Sequence, residues 1–128
     1  DVYAAMLGER MQKHQTRVFL INTGWSGGPY GVGKRMDIRL TRKLVDAAMS
    51  GQLDAVDYID DTRFHVQVPV TVPGLDDQSL LQPKNTWTDP GAFETRADRL
   101  AKEFAAHFDK AYGGKGIDPA VEAQCPGK

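Results

Sequence analysis

Five of the chain's 13 glycines fall between Gly24 and Gly33. They follow an apolar run, Val18-Phe19-Leu20-Ile21, closed by Asn22. That run is short and apolar throughout, the pattern of a strand buried on both faces. A Gly-rich loop between a strand and a helix is where α/β proteins receive ligands. Glycine permits positive φ and close approach of backbone to ligand, and successive backbone N–H groups can cradle an anion. After the loop, Arg35 to Ile38 reads as a short extended piece. A helix is expected from about Thr41 to Ser50, with Leu44, Val45, Ala48 and Met49 on its apolar face and Gly51 as its stop.

The flanks fill in a mixed α/β chain. Tyr3, Leu7, Met11 and His14 recur at helical spacing, which predicts an amphipathic helix over 2–14. Phe64, Val66, Val68, Val70 and Val72 alternate with polar or Pro residues, a strand pattern that Pro69 confines to an edge or splits. Asp89-Pro90 is a helix opening, an acid at the N-cap followed by Pro at the first helical position. Phe93, Ala97, Leu100, Phe104 and Phe108 then mark one face, so the helix should run to about Tyr112 and stop at Gly113-Gly114. Residues 113–128 read as a tail. The order is therefore helix, strand, Gly-rich loop, helix, short strands and a C-terminal helix, in one segment covering 1–128 with no internal repeat.

Charge narrows the ligand. The net charge of −1 gives no bulk attraction to nucleic acid. The first 50 residues nevertheless hold eight Lys/Arg against four Asp/Glu, and the remainder hold eight against thirteen. An anionic ligand belongs with the first 50. No stretch approaches the ~18 apolar residues of a membrane span. The single cysteine, Cys125, cannot form an internal disulfide, and nothing suggests an oxidising compartment. His14, His65 and His107 have no metal-ligand spacing. The chain opens at Asp1 in what already reads as helix, as expected for a piece of something longer.

The loop invites one motif and withholds it. Gly28-x-x-x-x-Gly33-Lys34 fits the first seven positions of a phosphate-binding P-loop, G-x-x-x-x-G-K-[ST]. The eighth position is Arg35, and a guanidinium has no acceptor with which to ligate the nucleotide's metal ion. Pro29 also removes a donor N–H from any cradle. By composition alone the loop could be a ligand cradle or a turn with no ligand. Arg35 could equally pair with a surface acid, Met36 fill core and Thr41 cap a helix.

A longer pattern bears on the choice. The run N-T-G-W-S-G-G-P-Y-G-V-G-K-R-M from Asn22, with T-R-K-L-V-D-A-A from Thr41, resembles the C-terminal part of the ATP-dependent phosphoenolpyruvate carboxykinases. The preceding V-Y-A-A-M-L-G-E-R-M is similar to the family's helix before that motif. F-H-V-Q-V-P-V-T-V-P-G-L, L-Q-P-K-N-T-W and the A-x-x-L-A-x-x-F helix are similar to the family's segments on its C-terminal side.

The resemblance implies part of the C-terminal nucleotide-binding domain of a larger enzyme, about its last quarter. It implies that ATP contacts fall on Arg35, Met36 and Thr41. A guanidinium can stack on a purine or meet phosphate oxygens. Met36, where the family often has another aliphatic residue, offers a soft wall to the base. Thr41, at the expected start of a helix, offers a hydroxyl and free N–H groups. The family's true P-loop, its Mg²⁺ or Mn²⁺ ligands and its oxaloacetate-binding arginine lie upstream of this chain, which therefore holds no catalytic or metal-binding residue. The implied partners are ATP, the rest of the parent enzyme and, through it, oxaloacetate and phosphoenolpyruvate. The implied compartment is the cytoplasm. A strand buried on both faces, with few neighbours to pair with, also predicts self-association of this piece alone. The alternative is a stand-alone nucleotide-binding or interaction module without catalysis.

Overall fold

The computed structural model describes residues 2–128. Helix α1 spans Val2–His14. It ends where Gln15 turns left-handed, at φ 51°. Two short strands, β1 (Trp25–Ser26) and β2 (Lys34–Arg35), pair antiparallel around the glycine loop. Helix α2 (Ile38–Met49) comes next, then a 3₁₀ turn at Gln52–Ala55. Strands β3 (Tyr58–Asp61) and β4 (Val66–Pro69) form a second antiparallel hairpin. Further 3₁₀ turns at Gln78–Leu81 and Pro83–Thr86 lead to α3 (Pro90–Tyr112) and α4 (Pro119–Glu122). The architecture is a mixed helix-and-hairpin segment, with two small antiparallel sheets.

The core lies under α2. Ala47, Leu53, Val72 and Leu75 are buried together, with Phe19, Leu40, Leu44, Ala48, Val56 and Leu81 packed around them. The loop that delivers Val72 has no ladder, so its backbone polar groups need other partners. Gln78 supplies them: its Oε1 accepts from Val72 N–H at 2.9 Å, and its Nε2 donates to the carbonyls of Val72 and Leu75 at 3.0 and 2.8 Å.

The apolar run Val18 to Asn22 is not the strand that its composition predicts. It belongs to neither sheet. Only one side is covered: Phe19 packs on the α2 core, whereas Val18 is 59% and Leu20 87% exposed. A strand exists through its hydrogen-bonded neighbours, and among the described residues none pairs with this run. The second expected strand is shorter than its alternation suggests. Phe64 and His65 sit in the hairpin turn, where the Asp61 carboxylate accepts from the N–H groups of Arg63 and Phe64, both at 2.9 Å. Pro69 closes β4 opposite Tyr58.

Helix α3 has the expected bounds. The Asp89 carboxylate accepts from Gly91 and Ala92 N–H at 2.8 and 3.2 Å, and Ala97 and Ala101 are buried. Residues 113–128, expected as tail, carry α4 and a buried Cys125. Lys128 binds back to Asp109 of α3 at 2.5 Å and to Glu122 of α4.

A candidate nucleotide-contacting hairpin and helix start

The glycines of the loop build a tight hairpin. Trp25 lies opposite Arg35 and Ser26 opposite Lys34. The Met36 N–H donates to the Gly24 carbonyl at 2.9 Å, which extends the pairing by a residue. At Gly33 a Cβ would sit 2.5 Å from the Gly28 carbonyl oxygen and 2.7 Å from that of Ser26, so no side chain fits there. Several amides that a phosphate cradle would need are taken up by the hairpin itself. Val32 and Gly33 both donate to the Pro29 carbonyl, at 3.0 and 2.9 Å, and Gly24 donates to Asn22 Oδ1 at 3.0 Å. A P-loop instead wraps its amides around the anion and opens directly into a helix.

Asn22 and Trp25 thereby gain local roles. Asn22 fastens the start of the hairpin. Trp25 is half-exposed at 48% and meets Tyr30 edge-on, ring centres 5.3 Å apart, outside the core where a tryptophan is more often used.

Of the three predicted site residues, Arg35 and Met36 are consecutive at the end of the hairpin, and Thr41 lies in the first turns of α2. Arg35 is exposed on β2. Among the described residues no carboxylate lies within ion-pair distance of Arg35 or Lys34. Lys34, Arg35, Arg39 and Arg42 are four exposed cations in a nine-residue stretch whose one acid is Asp37. Met36 is half-buried.

Thr41 requires a correction. The helix starts at Ile38, and Asp37 is its N-cap, with its carboxylate accepting from Arg39 N–H at 2.6 Å. Thr41 is inside the helix, and its N–H is already given to the Asp37 carbonyl at 3.1 Å. Its hydroxyl donates to the same carbonyl at 3.3 Å. What remains available is the hydroxyl's acceptor capacity. The signal for this start is Asp37 itself, a favoured cap residue placed just before apolar Leu40, Leu44 and Ala47 at helical spacing.

One open cleft is lined by Arg17, Phe19, Ile21, Val45, Ala48 and Met49, and none of the three predicted residues reaches it. Among the described residues no three His, Cys, Asp or Glu side chains come together as a metal site. No helix among them is long and apolar enough to cross a membrane.

The family model described as phosphoenolpyruvate carboxykinase matches residues 1–78. The chain belongs to that family. Its relatives include the phosphoenolpyruvate carboxykinase (ATP) of Caldanaerobacter subterraneus subsp. tengcongensis, 49% identical over 109 residues, which is 85% of this chain and 21% of the relative. Those of Geobacillus thermodenitrificans and Geobacillus kaustophilus are 48% and 49% identical over 120 residues, 94% of this chain and 22% of theirs. The chain thus spans about a fifth of the length of the curated relatives it matches.

Proposed function

We propose that the chain is a C-terminal portion of an ATP-dependent phosphoenolpyruvate carboxykinase and forms one wall of its nucleotide pocket. The whole enzyme converts oxaloacetate and ATP to phosphoenolpyruvate, ADP and CO₂, a step that feeds gluconeogenesis. Loss of CO₂ leaves an enolate, whose oxygen takes the γ-phosphoryl group while ADP departs. A divalent cation, Mg²⁺ or Mn²⁺, would be held by residues outside this chain and would neutralise charge during that transfer.

This chain's residues bind and orient. Arg35, exposed and without a carboxylate partner among the described residues, presents a planar cation to the purine face or the phosphates. Met36 offers an apolar wall to the base. Thr41, with its proton held by the Asp37 carbonyl, keeps lone pairs that can accept from an exocyclic amine. The surrounding cations favour a polyanion.

The observation that carries this reading is the identity to relatives named phosphoenolpyruvate carboxykinase (ATP), which spans the hairpin and the start of α2. The test is Arg35→Ala in the complete enzyme. Losing a stacking or charge-assisted contact costs about 1–3 kcal/mol, up to ~100-fold in ATP affinity, with oxaloacetate largely unaffected. Equal effects on both substrates, or none on ATP, refute a nucleotide role for Arg35. The 128-residue chain by itself should form no phosphoenolpyruvate in a coupled assay, because the groups that position and stabilise the transferring phosphoryl lie elsewhere.

A further inference from the structure

The hairpin that ends in Arg35 is too slight to set its own direction. Its strands are two residues each, and a two-stranded ribbon is marginal in water without outside support. Support comes from a residue 59 positions away. The Gly27 N–H donates to Thr86 Oγ1 at 3.1 Å, and that hydroxyl gives its own proton to the Pro83 carbonyl at 2.7 Å. The hydroxyl is therefore oriented at both ends. The two backbones also meet closely: Gly27 has φ 79°, and a Cβ on it would lie 3.0 Å from the Thr86 carbonyl oxygen.

The Pro83–Thr86 turn is itself held. Lys84 pairs with Glu94 of α3 at 2.7 Å, and Glu94 pairs with Arg63 at 2.5 Å. Arg63 also reaches Asp98 of α3 at 2.8 Å. Trp87 meets Phe93 of α3 edge-on at 5.7 Å. The Lys84 and Arg63 hydrogen bonds hold the Glu94 carboxyl below the usual carboxylate range, so it stays an acceptor at neutral pH. A continuous line of contacts thus runs from α3 through Thr86 to the hairpin.

We propose that Thr86 is a positioning residue for nucleotide binding: its hydroxyl holds the base of the glycine hairpin so that Arg35 and Met36 are presented to ATP. The proposal rests on the nucleotide reading of Arg35. Thr86→Val keeps the side-chain shape and removes both hydrogen bonds. In the complete enzyme it should raise the KM for ATP about fivefold to tenfold. The KM for oxaloacetate and kcat should stay within about twofold, because a positioning loss at one substrate leaves the other's contacts intact. Thr86→Ser, which keeps the hydroxyl, should restore the wild-type KM for ATP. With Arg35→Ala already present, Thr86→Val should add less than it does alone, because part of its effect runs through that side chain.

A wild-type KM for ATP in Thr86→Val overturns the proposal. So does an equal rise for both substrates, or a full multiplicative effect on top of Arg35→Ala. If Arg35→Ala itself leaves ATP binding unchanged, the nucleotide reading falls as well. If Arg35→Ala weakens ATP and Thr86→Val does not, only the positioning role falls. Should Thr86→Val fail to fold, amide exchange of the unmodified enzyme decides. The Gly27 N–H should exchange far more slowly than an open loop amide, and unprotected exchange overturns the clamp.

Discussion

Helices α1 and α3 are both amphipathic, and they fare differently. Helix α3 buries Ala97 and Ala101 and is fastened at both ends. The Asp89 carboxylate caps its start, Arg63 and Lys84 bind its first turns, and Lys128 returns to Asp109 near its end. Helix α1 has no buried residue. Tyr3 is 86% and Leu7 61% exposed on the face that the spacing marks as apolar. Val18 and Leu20, just beyond, are exposed as well. A helix in water gains most of its stability from packing such a face. The periodicity specifies an apolar face on α1, and among the described residues no residue of that face is buried. Under the function proposed above, the rest of the enzyme is what covers that face; the chain spans 21% of the length of one relative.

The largest test puts the same chemistry on both helices. Ala101→Asp places a carboxylate in a buried site without a partner and should cost about 3 kcal/mol or more. Leu7→Asp in the same chain should cost only about 0.7 kcal/mol or less, the helix-propensity difference. Urea unfolding followed by circular dichroism measures both, and equal losses would break the comparison.

Association comes next. The chain should self-associate at micromolar concentration through its uncovered apolar surface. The double variant Leu7→Lys with Leu20→Lys should shift sedimentation toward the monomer, whereas a lysine on the exposed face of α3, at Ala106, should not. A monomeric wild-type chain with a sharp thermal transition would mean that α1 needs no cover.

A smaller effect concerns how α3 is begun. Asp89→Ala should cost about 1 kcal/mol through the lost N-cap. Asp37→Ala should cost a similar amount at α2 and also disturb the turn that holds Thr41. Thermal melts of the two variants check this.

The smallest effect is a pH dependence at the far end of α3. Hydrogen bonds to Asp109 and then Glu122 push the Lys128 pKa from its ordinary 10.5 up to about 12. The folded value exceeds the unfolded one, so the contribution is fully present below pH 10.5 and is lost as pH rises through about 12. Lys128→Met should remove that part of the alkaline destabilisation. Identical stability profiles for the variant and the wild type between those limits would show that the C-terminal clamp contributes nothing.

Part of the fold is legible in the sequence because its causes are local. Asp89-Pro90, the spacing from Phe93 to Phe108 and Gly113-Gly114 place α3 correctly, since capping and helical periodicity act within a few residues. The expected start of α2 at Thr41 is three residues late, because Asp37, which looks like part of an extended piece, caps the helix. Strand β3 has no signal of its own. Tyr58-Ile59-Asp60-Asp61 is weak in strand character and pairs because β4 folds back on it across a four-residue turn.

What the sequence by itself determined is the set of elements that a short stretch of chain can specify: three long helices, a Gly-rich loop that falls short of a complete P-loop, and a cationic stretch at residues 34–42. The specific run from Asn22 to Met36 also carried the family. Pairing and cover were decided only by the tertiary structure. Val18 to Ile21 has the composition of a buried strand, yet hydrogen-bonded neighbours make a strand, and none lies beside it among the described residues. The bond between Gly27 and Thr86 likewise joins residues 59 positions apart, a separation over which no local propensity acts. Burial and pairing are properties of two surfaces meeting, and a one-dimensional pattern describes only one of them at a time.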